Sequence, residues 1–126
     1  MVRYRYNAQV DPPAPYVHVT LTNPAQQNSV ADLPAQLDTA ADVTVLPGQV
    51  IDNLGLTPID VLPIVGPGGH VTQCHAFLIE IALKDLTAVT IEAIGSRDEP
   101  YILLGRDVLN CFRVVLDGPK GVLEIE

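Results

Sequence analysis

Residues 35–46 read Ala-Gln-Leu-Asp-Thr-Ala-Ala-Asp-Val-Thr-Val-Leu. The Asp38-Thr39 pair inside that apolar run restricts what the chain can fold into. The run has the makeup of a buried strand, and a carboxylate there is costly unless it is paired or hydrogen-bonded. A fold that keeps Asp38 must therefore end its strand where a carboxylate has partners, or chemistry to perform. Two such carboxylates, brought together, share a proton and activate water. The chain carries one copy of the motif, so a second carboxylate of this kind would come from a second chain.

The surrounding pattern is that of short strands and tight turns. Tyr16–Thr22 alternates, with Val17, Val19 and Leu21 on one face and His18, Thr20 and Thr22 on the other, which predicts a half-buried strand. Asn23-Pro24 turns the chain. Val30–Leu37 is extended up to Asp38, and Val43–Leu46 is a short strand stopped by Pro47-Gly48. Gln49–Leu54 suits one or two helical turns ended by Gly55. Val61–Val65 and Val71–Ile81 flank Gly66-Pro67-Gly68-Gly69 and predict a hairpin with a type II turn, Pro67 and Gly68 at its centre. Pro63 lacks an amide hydrogen, which places its arm at a sheet edge.

Further on, Thr87–Ile94, Phe112–Asp117 and Val122–Ile125 read as strands, and Gly105–Asn110 as a helix. Asp11-Pro12-Pro13-Ala14-Pro15 cannot be helical, so residues 1–15 are expected to form an extended Pro-rich arm ahead of a domain spanning 16–126. The sum is a mostly-β domain with one short helix late in the chain.

Length and composition bound the function. At 126 residues the chain is one domain, and 48% hydrophobic against 17% charged residues favours a compact globule. Trp is absent, so Val, Leu, Ile and Ala must build the core. The net charge of −8 opposes binding to nucleic acid and to anionic membrane surfaces. Cys74 and Cys111 are isolated, with neither metal-ligand spacing nor a disulfide pattern, so a reducing, cytoplasmic setting is expected. Met1–Asn7 has no apolar core of a signal peptide, and no apolar stretch reaches membrane-spanning length.

Three segments occur together in an order that resembles the retropepsin-like aspartic proteases, the family of the retroviral proteases and their single-domain relatives. Leu37-Asp38-Thr39-Ala40-Ala41-Asp42-Val43-Thr44-Val45-Leu46 is similar to the family's active-site loop. The Gly66–Gly69 hairpin tip is similar to its Gly-rich flap. Ile102-Leu103-Leu104-Gly105-Arg106-Asp107-Val108-Leu109 is similar to its helix signature. The resemblance implies an all-β fold: a closed acid-protease β-barrel with one short C-terminal helix, assembled as a homodimer. It implies an aspartic endopeptidase acting on peptide or protein substrates, without cofactor or metal, with Asp38 and its symmetry mate as the catalytic pair.

Supporting roles are implied too. Thr39 would hydrogen-bond across the dimer. Ala40 and Ala41 would shape the loop, and Asp42 would pair with Arg106 beneath it. Val65, Gly66, Pro67, Gly68 and Gly69 would close over substrate as a flap. Val122–Ile125 would interleave with the partner's terminal strand. Leu37, Val43, Val45, Ile64 and Val65 would wall an apolar site, which points to apolar residues at the scissile bond.

Ala40 is a departure, because the family usually has Gly there. If the position needs positive φ, Ala is strained by about 1–2 kcal/mol; if it needs only a small side chain, Ala is tolerable. The sequence leaves both open, and with them an alternative function, a non-catalytic or weakly active dimeric protein-binding module on the same fold. Taken singly, each motif has a plainer meaning: Asp-Thr as a turn or cap, Gly66–Gly69 as an ordinary turn, Arg106 as a solvated charge. Cys74 and His75 are adjacent on a strand, so they point to opposite faces and cannot grip one ion. Ser29 and Ser96 lie in no nucleophile motif.

Overall fold

The computed structural model describes residues 1–126. Its strands are β1 (Val2–Arg5), β2 (Tyr16–Asn23), β3 (Asn28–Leu37), β4 (Val45–Pro47), β5 (Asp60–Val65), β6 (Val71–Leu83), β7 (Val89–Ser96), β8 (Ile102–Leu104), β9 (Val114–Asp117) and β10 (Val122–Ile125). Two helices, α1 (Gly48–Leu54) and α2 (Arg106–Leu109), lie between strands. Both the helical turns before Gly55 and the late helix are therefore present. Gly55 ends α1 in the left-handed conformation, φ 62°, and its amide donates to the helix carbonyls. That is the position where glycine escapes the Cβ penalty.

The main sheet runs β2-β3-β8-β4-β7-β6-β5, and an extra β2–β6 pairing closes it into a barrel. The β3–β8 and β4–β7 pairings are parallel and the rest antiparallel. Closure leaves β5 hanging on β6 outside the barrel, where Pro63 needs no partner on its far side.

The alternation read in β2 is the barrel's inner face. Val17, Val19 and Leu21 are fully buried and meet Ile79, Ile81 and Leu83 from β6. Leu104, Val108 and Leu109 bring α2 onto the same core. Burying an aliphatic side chain of this size stabilises by about 1.5–3 kcal/mol, so a chain without Trp holds together on Leu, Ile and Val. No helix is long and apolar enough to cross a membrane.

A second sheet, β1-β10-β9, corrects two sequence expectations. Val2–Arg5 is not part of a free arm; it pairs with Val122–Ile125, and Val2 and Tyr4 pack against the core. Its alternation of Val2 and Tyr4 inward with Arg3 and Arg5 outward is the period-2 signal of a strand. In consequence β10 does not wait for a partner's terminal strand. Both of its edges are taken within the chain, by β1 and β9, and Leu123 and Ile125 are fully buried.

Candidate active site

The Asp38 loop is held from below by the segment around Gly105. β3 ends at Leu37 alongside Leu104 of β8, and the Asp38 amide then donates to the Leu104 carbonyl at 2.9 Å. The chain turns at once. Asp38 Oδ1 accepts the Ala40 amide at 3.1 Å, and the Asp38 carbonyl accepts that of Ala41 at 3.2 Å. Asp residues favour such turns because their carboxylate reaches the amide two residues on. The Ala41 carbonyl accepts the Arg106 amide at 2.9 Å, which fastens the loop to the start of α2.

Gly105 is required by this closeness. A Cβ there would lie 2.6 Å from the Val43 carbonyl carbon and 3.0 Å from the Ala41 oxygen, both backbone atoms.

Arg106 ties the loop from outside. Its Nη1 donates to the Thr39 carbonyl at 2.7 Å, and its Nη2 pairs with Asp42. The ion pair joins the two residues that the sequence pointed to, but it is not buried: the Asp42 side chain is 82% exposed and that of Arg106 43%. Arg106 lies across the outer surface of the loop, so the expectation of a buried pair beneath it is corrected.

The buried polar link is a different one. Thr44 is fully buried. Its amide donates to Asp107 Oδ2 at 3.0 Å, its hydroxyl donates to Asp107 Oδ1 at 2.7 Å, and the same hydroxyl accepts the Gly105 amide at 3.1 Å. The sequence reading passed over Thr44 and Asp107 as functional residues. A polar Thr at an inward position of an apolar strand was the available signal, since a buried hydroxyl needs partners.

Opposite the loop stands the β5–β6 hairpin. Gly68 sits at φ 78°, ψ 7°, and the Gly69 amide returns to the Gly66 carbonyl at 3.1 Å. These are the dihedrals of a type II turn, as Pro67-Gly68 predicted. Between loop and hairpin lies a cleft of about 680 Å³. Asp38, Ala40, Ala41 and Asp42 line one side and Leu62, Pro63, Ile64, Val65 and Pro67 the other, with Val43, Val45 and Ile94 completing the walls.

Of the residues singled out by sequence, Asp38, Ala40, Ala41, Asp42, Val65 and Pro67 thus meet at one cleft. Gly66, Gly68 and Gly69 form the hairpin tip outside its lining, and exposed Thr39 contributes its carbonyl to Arg106. Leu37 does not wall the cleft: it belongs to the barrel core, and Ile94 and Leu62 take that role.

Ala40 is unstrained, because the non-glycine residues with positive φ are Gln27, Asp32 and Asp85. The loop therefore accepts Ala without a left-handed backbone. Asp42 is neutralised by Arg106, whereas no cation pairs with Asp38. The cleft so presents one carboxylate with no cation beside it, at the end of a strand, held by the Ala40 amide among apolar walls.

The architecture is that of solved retropepsin-like structures. The chain is similar to the EIAV protease in complex with an inhibitor, at TM-score 0.59 and 22% identity, over 86% of this chain and 93% of that one. It is similar to a retropepsin-like aspartic protease from Rickettsia conorii, at TM-score 0.66 and 14% identity, over 97% and 86%. It is also similar to the retroviral protease-like domain of Ddi1 from Leishmania major, at TM-score 0.53 and 15% identity, over 90% and 88%. No family model matches the sequence, and no curated protein sequence does. At these identities the likeness establishes a retropepsin-like fold.

Proposed function

We propose that the chain is an aspartic endopeptidase that works as a homodimer, with Asp38 of each copy forming the catalytic pair. One observation carries this reading: unpaired Asp38 lies in the cleft between its loop and the β5–β6 hairpin. A lone carboxylate of this kind is half of a known chemistry. Two carboxylates a few ångströms apart cannot both ionise, so they titrate as a unit and hold one proton between them. The ionised member takes a proton from a bridging water as that water attacks the peptide carbonyl. The protonated member gives its proton to the developing tetrahedral oxygen.

The rest of the cleft suits this role. The β5–β6 hairpin would act as a flap, closing Val65–Gly69 over the substrate and excluding water. Substrate would lie extended, with apolar side chains at the cut against Val43, Val45, Ile64 and Ile94. Arg106, through Thr39 and Asp42, keeps the loop in place. The competing reading, a binding module without turnover, leaned on Ala40, and the ordinary backbone at that residue removes the strain behind it.

Replacing Asp38 with Asn is the test. Asp38→Asn keeps the shape and removes the shared proton, so pepstatin-sensitive cleavage of extended apolar peptides should vanish while circular dichroism stays unchanged. Retained cleavage would overturn the assignment. In the parent protein, activity measured across roughly pH 3–8 should be highest in acid and fall toward neutral pH, because the mechanism needs one shared proton.

A further inference from the structure

The topology of the small sheet leaves β9 as an edge open to a second copy. β10 is paired on both sides. The far side of β1 faces β2, where Tyr4 stacks on His18 with ring centroids 6.2 Å apart. β9 is the other edge of this sheet, and no strand pairs on its outer side. No Lys, Pro or bulge interrupts it, and Val115 and Leu116 are 36% and 49% exposed.

The hydrogen-bond phase of that edge follows from its inner partner. Arg113 and Glu126 exchange both backbone bonds, at 2.8 and 3.0 Å. Antiparallel pairing alternates, so Val115 and Asp117 turn their backbone groups toward β10, while Val114 and Leu116 turn theirs outward. The stretch Arg113-Val114-Val115-Leu116-Asp117 is also self-complementary when read against itself antiparallel.

We infer that two copies join by antiparallel pairing of β9 with β9, about a twofold axis at Val115. In this register Val114 meets Leu116 of the other copy in a hydrogen-bonded pair, twice, which satisfies the outward groups. Val115 meets Val115. Arg113 lies across from Asp117 of the other copy at both ends, so opposite charges flank an apolar centre. Shifting the axis to Val114 or Leu116 keeps the hydrogen-bond phase but separates Arg113 from Asp117. An isologous interface has to be self-complementary in this way. The result is one continuous sheet, β1-β10-β9-β9-β10-β1, rather than interleaved termini. The inference rests on the homodimer reading above and specifies how its partner docks.

Charge reversal and cross-linking test it. Asp117→Arg should put like charges across both ends and raise the dimer dissociation constant roughly tenfold or more, with circular dichroism unchanged. Arg113→Asp should do the same, and equal mixing of the two variant chains should restore a dimer, because each mixed pair sets two cations against two carboxylates. Arg113 also pairs with Glu126, so Val115→Cys supplies an independent readout. Facing residues in such a non-hydrogen-bonded pair have Cα atoms about 4.5 Å apart, within disulfide reach. With Cys74→Ser and Cys111→Ser in the same chain, oxidation should give a covalent dimer.

A dimer indifferent to Asp117→Arg and not cross-linked through Val115→Cys overturns this docking and leaves the endopeptidase reading standing. A dimer that cross-links yet cleaves nothing supports the docking and removes the endopeptidase. A parent chain that sediments as a monomer overturns both.

Discussion

Residue by residue, the site depends on which polar groups are buried rather than on which carry charge. Asp42 and Arg106 form the conspicuous ion pair, but both are solvated, and an exposed pair contributes about 0–1 kcal/mol. Thr44 is sealed in the core and depends on Asp107. Removing one partner of a buried hydrogen bond costs about 1–3 kcal/mol. Urea denaturation should therefore rank Asp107→Ala as clearly more destabilising than Arg106→Ala; equal losses would mean that Thr44 finds other partners. Arg106→Ala should show mainly in activity, through a loosened Thr39 and Asp42. Ala40→Gly relieves no backbone strain, since Ala40 has none. It should leave kcat unimproved and lower stability by about 0.4–1 kcal/mol through the freer unfolded chain; a faster enzyme would instead show that substrate needs the space of the missing methyl.

Among the elements, β10 changes meaning most between sequence and structure. Taken as a strand awaiting a partner, Val122–Glu126 would be dispensable to the monomer. In the sheet β1-β10-β9 it is the central strand and buries Leu123 and Ile125 completely. Losing two such side chains removes roughly 3–6 kcal/mol, a large part of a small domain's stability. Deleting Val122–Glu126 should therefore abolish the cooperative melt itself. A truncated chain that melts normally as a monomer would restore the exchange of terminal strands. The β5–β6 hairpin, by contrast, was legible in full, because Pro67 and Gly68 each meet a local dihedral demand that no distant contact has to supply.

For the whole molecule, two phenols tie stability to alkaline pH. Burial pushes the Tyr4 and Tyr16 phenols above their usual value of 10.0, with nearby Asp32 adding to the effect at Tyr4 and Tyr101 and Glu99 at Tyr16. A raised folded-state value means that the folded chain holds these protons more tightly than the unfolded one. Their stabilisation is complete below pH 10.0 and is lost as pH rises through the folded values. Melting temperatures should thus decline above that point, and Tyr16→Phe should flatten the decline. A curve unchanged by Tyr16→Phe would assign the alkaline loss elsewhere.

What the sequence determined by itself was set by local pattern. The alternation of Val17, Val19 and Leu21, the turn chemistry of Pro67-Gly68 and the stop at Gly55 all depend on neighbours a few residues away or on side-chain type. Tertiary structure alone decided the partners. It gave Thr44 to Asp107, brought Arg106 outside the loop rather than beneath it, moved Leu37 from the cleft wall into the core, and set β1 on β10. The physical reason is that a strand's periodicity shows which face is buried but leaves its hydrogen-bonding edges equivalent until another strand takes one.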